Sequence, residues 1–526
     1  VDPRLFQVPV PAAREEAAVR RSDAARIALF LVPLAVAMAL RIARAFATHH
    51  VLDWDETYYM SLAMTGASGA GLYPYIYGFG PMHMMGGIGY AAWSYVAAVK
   101  LFGPTIFALR AVSIAVSLAG LAAIWVLVRT WYGTAAAWIG VTLTASLRLF
   151  VLSNTARMDA WTFAWVAWAL AAAAVAFNRW PQKRWHIIAG LLFGLGPQVH
   201  IDTLATAAAC GVVYLSRYVR DARAARRLWI REHPMFLFTA GLAAGLAIYA
   251  ALNILPDTAS YYTMTVRVRV DATKAYSAGT TSLFASFLNP RIILAKELVR
   301  YRQLWSITPA FEALLLVAGL VACVIRRTVA DRLVLILVPS VCIAAAILLN
   351  NASPLYYIHV MPALVIPLGP LFSIGRGQEK IALADLGRGR LAIAGIVVWA
   401  VTASTGASTL RALRHIPPAA SISAETIKRV RTEVDRRCVI AGDGSLYVTE
   451  FADYPWFIST RPTEVTLAML YYSAATEAEY WRIKRPDVVF ATGPLSAGLS
   501  DYIARRGLKS VAPGLWVNPA GCRSGP

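Results

Sequence analysis

Val51 to Tyr59 reads V-L-D-W-D-E-T-Y-Y, three carboxylates and three aromatics within nine residues. The chain is otherwise poor in acid, with 29 Asp and Glu against 50 Lys and Arg. A carboxylate fixed at a dry edge, where a hydroxyl can approach, is a general base, which supplies roughly 10²–10⁴ in rate. Asp55 is the candidate base, Glu56 a supporting acid and Asp53 a flanking or capping one. The plain alternative is helix capping, since acids are favoured in a first turn by free N–H groups and the dipole. Asp159, in N-T-A-R-M-D, opens an apolar run and carries the same two readings. Arg157, two residues earlier, either pairs with Asp159 or holds a phosphate. Q-V-H-I-D places His200 beside Asp202, and Y-Y-I-H places Tyr357 near His359. Imidazoles and carboxylates together form a possible divalent metal site, with His83 a weaker further ligand, although no spacing enforces one.

These groups need elements to position them, and composition says which. Of 526 residues 58% are hydrophobic and 15% charged, and mean hydropathy is +0.55. Apolar runs of about 20 residues recur, the length that crosses roughly 30 Å of hydrocarbon. The reading is an α-helical polytopic membrane protein. The formal charge of +21 fits basic cytoplasmic loops, and no nucleic-acid motif accompanies it.

Apolar segments fall near 27–47, 82–101, 105–128, 134–153, 160–178, 186–199, 203–218, 234–255, 308–325, 333–350, 355–373 and 391–410. If all twelve cross and the N-terminus is inside, the six arginines from Arg217 to Arg231 lie outside, against the positive-inside rule. Laying 82–101 along the surface repairs this. Its glycines and its Tyr90, Trp93 and Tyr95 suit an interfacial helix. Arg129, Arg179–Arg184, Arg217–Arg231, Arg326–Arg332 and Arg376–Arg390 then all become cytoplasmic. About eleven transmembrane helices result, with the N-terminus inside and the C-terminus outside. The outer face gathers Asp53, Asp55, Glu56, Arg157, Asp159, His200, Asp202 and His359. A long loop, 256–306, joins them. It carries Arg267 and Arg269 in V-R-V-R-V, which share one face if extended and can bind an anionic headgroup or phosphate.

The first segment is too long for a signal-peptide core and reads as an uncleaved anchor. Residues 1–26 form a cytoplasmic tail and 27–410 the transmembrane domain. Residues 411–526 form a small α/β domain outside the membrane, with apolar runs at 438–441, 456–459, 488–491 and 515–518 as its strands. Of five cysteines, Cys210, Cys323 and Cys342 fall in apolar spans and read as buried. Cys438 and Cys522 lie outside the spans and can pair if that region faces an oxidising compartment. Asn351-Ala-Ser353 is a glycosylation sequon on the outer face.

An acidic pair in the first outer loop, an interfacial element after it and an acid opening a later span resemble the GT-C superfamily of integral-membrane glycosyltransferases. The nearest likeness is to protein O-mannosyltransferases and lipid A aminoarabinose transferases. D-E-T-Y-Y at 55–59 is similar to their first-loop motif, A-R-M-D-A-W-T-F-A-W at 156–165 to their second acidic position, and Y-Y-I-H-V-M-P-A-L-V-I-P-L at 356–368 to their Tyr- and Pro-rich span. The resemblance implies transfer of a sugar from a polyprenyl-phosphate carrier to a protein, lipid or glycan acceptor, with inversion. It implies the plasma membrane of a prokaryote, with the active site extracytoplasmic. Asp55, Glu56 and Asp159 would be catalytic. Arg157, Arg267, Arg269, His200, Tyr357 and His359 would meet the donor phosphate or substrate. Where some relatives carry an acidic residue and a Lys after the interfacial loop, this chain has Pro81-Met82-His83. Two other readings compete: a catalytically silent subunit of a membrane complex, because folds outlive activities, and a transporter, for which no repeat and few charges in the spans speak.

Overall fold

The computed structural model describes residues 13–47, 55–72, 75, 89–152, 155–180, 182–225, 233–262, 288–349, 354–372, 382–383, 386–414, 424–462, 465, 469, 474–491 and 493–522. Asp53, His83, Arg267, Arg269 and the Asn351–Ser353 sequon lie outside the described residues.

The chain opens with α1 (Ala13–Phe46), then α2 (Asp55–Ala67) and α3 (Gly89–Phe102). Over the described part of α3, Trp93, Leu101 and Phe102 are exposed, side chains that suit an interfacial element. Next come α4 (Ile106–Tyr132), α5 (Thr134–Ser146), α6 (Arg148–Leu152), α7 (Asp159–Asn178), α8 (Lys183–Leu195), α9 (Thr203–Ala225) and α10 (Pro234–Tyr249). Gly133, at φ 90°, stops α4 and starts α5 directly, a conformation few side chains tolerate.

Part of the expected loop 256–306 is instead a helix, α11 (Pro290–Ile307), capped by Asn289 and bent by 111° from α12 (Ala310–Arg326). Its Leu294, Leu298 and Trp305 are exposed, while Lys296, Glu297 and Arg300 are buried. The charges that read as a loop's are thus turned inward from an apolar helix face. After α13 (Val329–Leu348), residues 354–372 run as short helical turns broken by prolines, not as one helix, and α14 (Arg388–Arg414) follows. Among the described residues six helices are long and apolar enough to cross a membrane, or up to seven if the bent pair counts once. Cys342 is exposed on α13, against the expectation of burial, because that helix turns it away from its neighbours; Cys210 and Cys323 are buried.

Helices α8 and α10 approach closely. Gly190 and Gly194 face Gly241 and Gly245, each pair four residues apart. A Cβ at Gly194 would lie 2.3 Å from the Leu242 carbonyl oxygen, and one at Gly241 2.3 Å from that of Ile187. Small residues at this spacing let two backbones touch inside a membrane. Gly194→Leu is expected to destabilise the protein by roughly 1–3 kcal/mol or more, since backbone and not a mobile side chain must yield. Thermal unfolding in detergent, with Gly211→Leu (nothing within 4 Å of its added Cβ) as control, checks this.

From α15 (Ala424–Glu433) the chain builds a five-stranded sheet: β1 (Ile440–Gly442), α16 (Gly444–Glu450), β2 (Phe457–Ser459), α17 (Glu477–Lys484), β3 (Val488–Phe490), α18 (Ala497–Arg506), β4 (Lys509–Ala512) and β5 (Leu515–Val517). The order is β2-β1-β3-β5-β4, with β1 parallel to β2 and β3, and β5 antiparallel to β3 and β4. Four strands fall on the expected apolar runs, and β4, largely exposed, does not. Cys438 and Cys522 are disulfide-bonded, closing a separation of 84 residues. By chain entropy such a link stabilises by about 4–5 kcal/mol. Cys438→Ser/Cys522→Ser is therefore expected to unfold this domain at a lower denaturant concentration than α7–α10, as hydrogen exchange would report.

The sheet domain packs on the membrane domain through α2. Tyr58, Tyr59, Leu62 and Tyr95 share one apolar core with Val434, Leu446, Tyr447 and Phe451. Tyr75, from the segment after α2, is buried in the sheet domain's other core, with Trp456 and Lys484 against its ring. The element that begins at Asp55 is thereby held from both sides.

Candidate active site

Asp55 opens α2, Arg157 lies in the turn before α7, Asp159 opens α7, His200 and Asp202 precede α9, and His359 closes the first turn after α13. Five elements bring these side chains together. Arg157 bridges the first two acids, with Nη2 3.0 Å from Asp55 Oδ2 and Nε 2.9 Å from Asp159 Oδ2. The His359 ring spans the other two: Nε2 is 2.8 Å from Asp159 Oδ1 and Nδ1 3.1 Å from Asp202 Oδ2. Both nitrogens face carboxylate oxygens, which accept only, so the imidazolium satisfies this geometry. His200 packs on His359 at 4.5 Å between ring centroids, and its Nδ1 accepts the Asp202 backbone N–H at 3.1 Å. Tyr356 lies edge-on to both rings.

The result is an alternating chain, Asp55–Arg157–Asp159–His359–Asp202, with three carboxylates and two cations. Exposure separates the acids. The Asp55 side chain is 41% exposed, those of Asp159 and Asp202 3% each. Asp159 is in the first turn of α7, but that helix has no side-chain cap; its carboxylate is spent on Arg157 and His359. Capping therefore does not account for it.

A buried frame fixes the open end. Glu56 is fully buried and takes Arg110 of α4 in a two-pronged contact, at 2.8 Å to Nε and 2.6 Å to Nη2. It also accepts the Ala156 backbone N–H at 2.8 Å, one residue before Arg157, while Arg110 donates to the Ala45 carbonyl at 2.9 Å. The end of α1, the start of α2, α4 and the turn before α7 thus meet at one ion pair. Tyr95 of α3 donates to the Arg157 carbonyl at 2.8 Å. Arg41 and Arg44 of α1 donate to the Phe150 and Val151 carbonyls at the end of α6, satisfying acceptors a helix end leaves open.

Tyr357 is not in the chain of acids. It donates to Glu297 at 3.1 Å, beside Arg300, which holds Glu297 at 2.5 Å and the Leu349 carbonyl at 2.7 Å. Lys296 reaches the Ala346 carbonyl at 2.6 Å. These contacts tie α11 to the end of α13. Sequence alone does not single out Arg110, whose only signal is a lone arginine inside an apolar run, and it places Asp202 with the outer acids without assigning it this partner.

His200, Asp202 and His359 present ligand atoms within 4.8 Å of one another, a spacing and N/O donor set that suit a divalent ion such as zinc.

No protein-family model matches the chain, and no curated protein matches it in sequence. Solved structures do match. ArnT from Cupriavidus metallidurans bound to undecaprenyl phosphate aligns over 93% of this chain and 98% of its own, with TM-score 0.60 and 13% identity. The oligosaccharyltransferase of Archaeoglobus fulgidus, in complex with zinc and sulfate, aligns over 87% of this chain and 67% of its own, with TM-score 0.52 and 13% identity. The chain has the GT-C fold.

Proposed function

We propose that this GT-C chain is a membrane glycosyltransferase. It moves a sugar from a polyprenyl-phosphate-linked donor to a protein, lipid or glycan acceptor at the extracytoplasmic face, with inversion. The observation that carries the reading is the exposed Asp55 at the end of a buried, charge-alternating chain, in a fold whose relative was crystallised with undecaprenyl phosphate. In this mechanism Asp55 takes the proton of the acceptor hydroxyl. Arg157 holds the Asp55 carboxylate in place. Asp159, itself held by His359, fixes Arg157. Glu56 acts as a positioning residue through Arg110 and Ala156.

The phosphate that leaves with the carrier needs positive charge. Three carboxylates against Arg157 and one imidazolium leave the described cluster net negative. Arg267 and Arg269 are therefore proposed to supply the cations. A divalent metal would be held by His200, Asp202 and a neutral His359 that has given up its Nδ1 proton, and when bound it would supply further charge for the phosphate oxygens. Adding zinc to purified protein is expected to raise its unfolding temperature, and Asp202→Asn to abolish the rise; an equal rise in both would remove these residues as ligands.

Eleven crossings fit this reading: α1, α4, α5 with α6, α7, α8, α9, α10, α12, α13, the turns 354–372 and α14, with α3 and α11 at the interface. The N-terminus is then cytoplasmic, and the acids, the sheet domain and its disulfide lie outside. Cysteine labelling near Trp93 and Arg129 should report opposite sides. For the activity, labelled sugar presented on a polyprenyl phosphate to protein in nanodiscs should pass to acceptor. No turnover with any such donor would overturn the proposal in favour of a silent subunit.

A further inference from the structure

The acid cluster lies at one end of α7, and a second cleft lies at the other. From Asp159 to Asn178 this helix has 20 residues, a length of about 30 Å, which matches the hydrocarbon thickness of a bilayer. At its far end, against the last turn of α4 and the start of α5, is a cleft of about 710 Å³. Arg129 of α4 and Arg179 after α7 line it, and among the described residues no acid does. Both α4 and α7 are long and apolar enough to cross a membrane. The cleft therefore falls where the headgroups of one leaflet begin, on the face away from Asp55.

The wall offers donors, because its acceptors are in use. The Arg129 carbonyl takes the Gly133 N–H at 3.0 Å, and that of Val175 takes the Arg179 N–H at 2.9 Å. The Thr130 carbonyl takes Asn178 Nδ2 at 2.7 Å, and that of Val126 takes the Thr130 hydroxyl at 2.7 Å. The Arg129 guanidinium lies 4.8 Å from the centroid of the Trp125 ring, a contact that fixes its direction. Among the described residues neither guanidinium meets a carboxylate. α5 starts in the same wall at Thr134 with no side-chain cap, so the positive end of its dipole adds to the two cations. Val126 and Val175, one turn nearer the middle of their helices, continue the lining towards hydrocarbon. This pattern complements an amphiphile with an anionic head, and basic pockets between membrane helices bind such headgroups.

We infer that this cleft binds the phosphate of an anionic phospholipid from the leaflet facing away from Asp55, with the acyl chains running past Val126 and Val175. The inference needs α4 and α7 to cross the membrane and does not depend on sugar transfer. Native mass spectrometry of the full chain tests it, with dioleoyl-phosphatidylglycerol or dioleoyl-phosphatidylcholine added to the protein in neutral detergent. Wild type and Asp55→Asn should both hold phosphatidylglycerol more tightly than phosphatidylcholine. Arg129→Ala/Arg179→Ala should weaken phosphatidylglycerol binding roughly tenfold or more, the effect of losing charged hydrogen-bond donors. Arg184→Ala/Arg390→Ala removes the same charge from exposed positions outside the cleft lining and should leave binding unchanged. Thr134→Glu carries the test if the double arginine variant shows a lowered unfolding temperature. An acid is favoured in the first turn of a helix, so the fold should hold while the new charge repels the headgroup. Four results would overturn the site: no preference between the two lipids, undiminished binding in the cleft variants, an equal loss in the control variant, or full displacement by inorganic phosphate. The third would mark diffuse attraction to a basic face, and the last a site for free phosphate.

Discussion

Asp55→Asn should lower the rate of sugar transfer by roughly 10²–10⁴, the span a positioned general base supplies. The substitution keeps the shape of the side chain and removes its capacity to take a proton. It should leave the fold intact, because Asp55 is partly exposed and Arg157 keeps Asp159 at 2.9 Å as its other partner. A loss of turnover with an unchanged unfolding temperature would therefore report chemistry. The measure is single-turnover transfer of labelled sugar from a polyprenyl-phosphate donor, with donor binding followed separately. Asp55→Glu, which restores the carboxylate a bond too far out, should recover part of the rate. Turnover of Asp55→Asn within a few-fold of wild type would end the base assignment. That result would fit a phosphate acceptor, which needs no proton removed, with Asp55 orienting the donor instead.

The acids of this site are legible in the sequence for a physical reason. Carboxylates are scarce in the chain and costly to place at a membrane edge, so Asp55, Asp159 and Asp202 stand out once charge parity sorts the loops. The same sorting of the loops brought out His200, Arg157 and His359. What the sequence hides is pairing over distance. Glu56 and Arg110 are 54 positions apart, and hydropathy treats Arg110 as one charge in an apolar helix. Likewise 134–153 reads as one span, yet Glu312, far along the chain, receives the Arg148 backbone N–H at 3.2 and 3.1 Å and fixes a break at Leu147. Residues 354–372 are as apolar as a span, but Pro354, Pro362, Pro367 and Pro370 each lack the N–H a continuous helix uses. In the sheet domain, buried runs gave away four strands. Lys509–Ala512 has no buried run to read, because it is an exposed edge held by β5 alone.

Removing the buried guanidinium should cost more stability than any change in the exposed part of the site. Arg110→Met would leave Glu56 fully buried without its cation, and stranding one member of a buried pair typically costs about 3–5 kcal/mol. Thermal and denaturant unfolding in detergent would read it as a large shift; an unchanged midpoint would mean that water reaches Glu56 and that the frame is not a frame. The double variant Glu56→Leu/Arg110→Leu separates stability from positioning. With both charges gone the desolvation penalty goes too, and such replacements are often neutral. Here the Ala156 N–H and the Ala45 carbonyl would still lose their partners, at about 1–3 kcal/mol each. The double variant should thus regain part of the stability and none of the activity. Glu56 holds the residue before Arg157, and Arg157 holds Asp55, so the base loses its register even where the fold survives. Recovery of turnover along with stability would instead make Glu56 a packing residue and leave the aim of Asp55 to Arg157 and Asp159 alone.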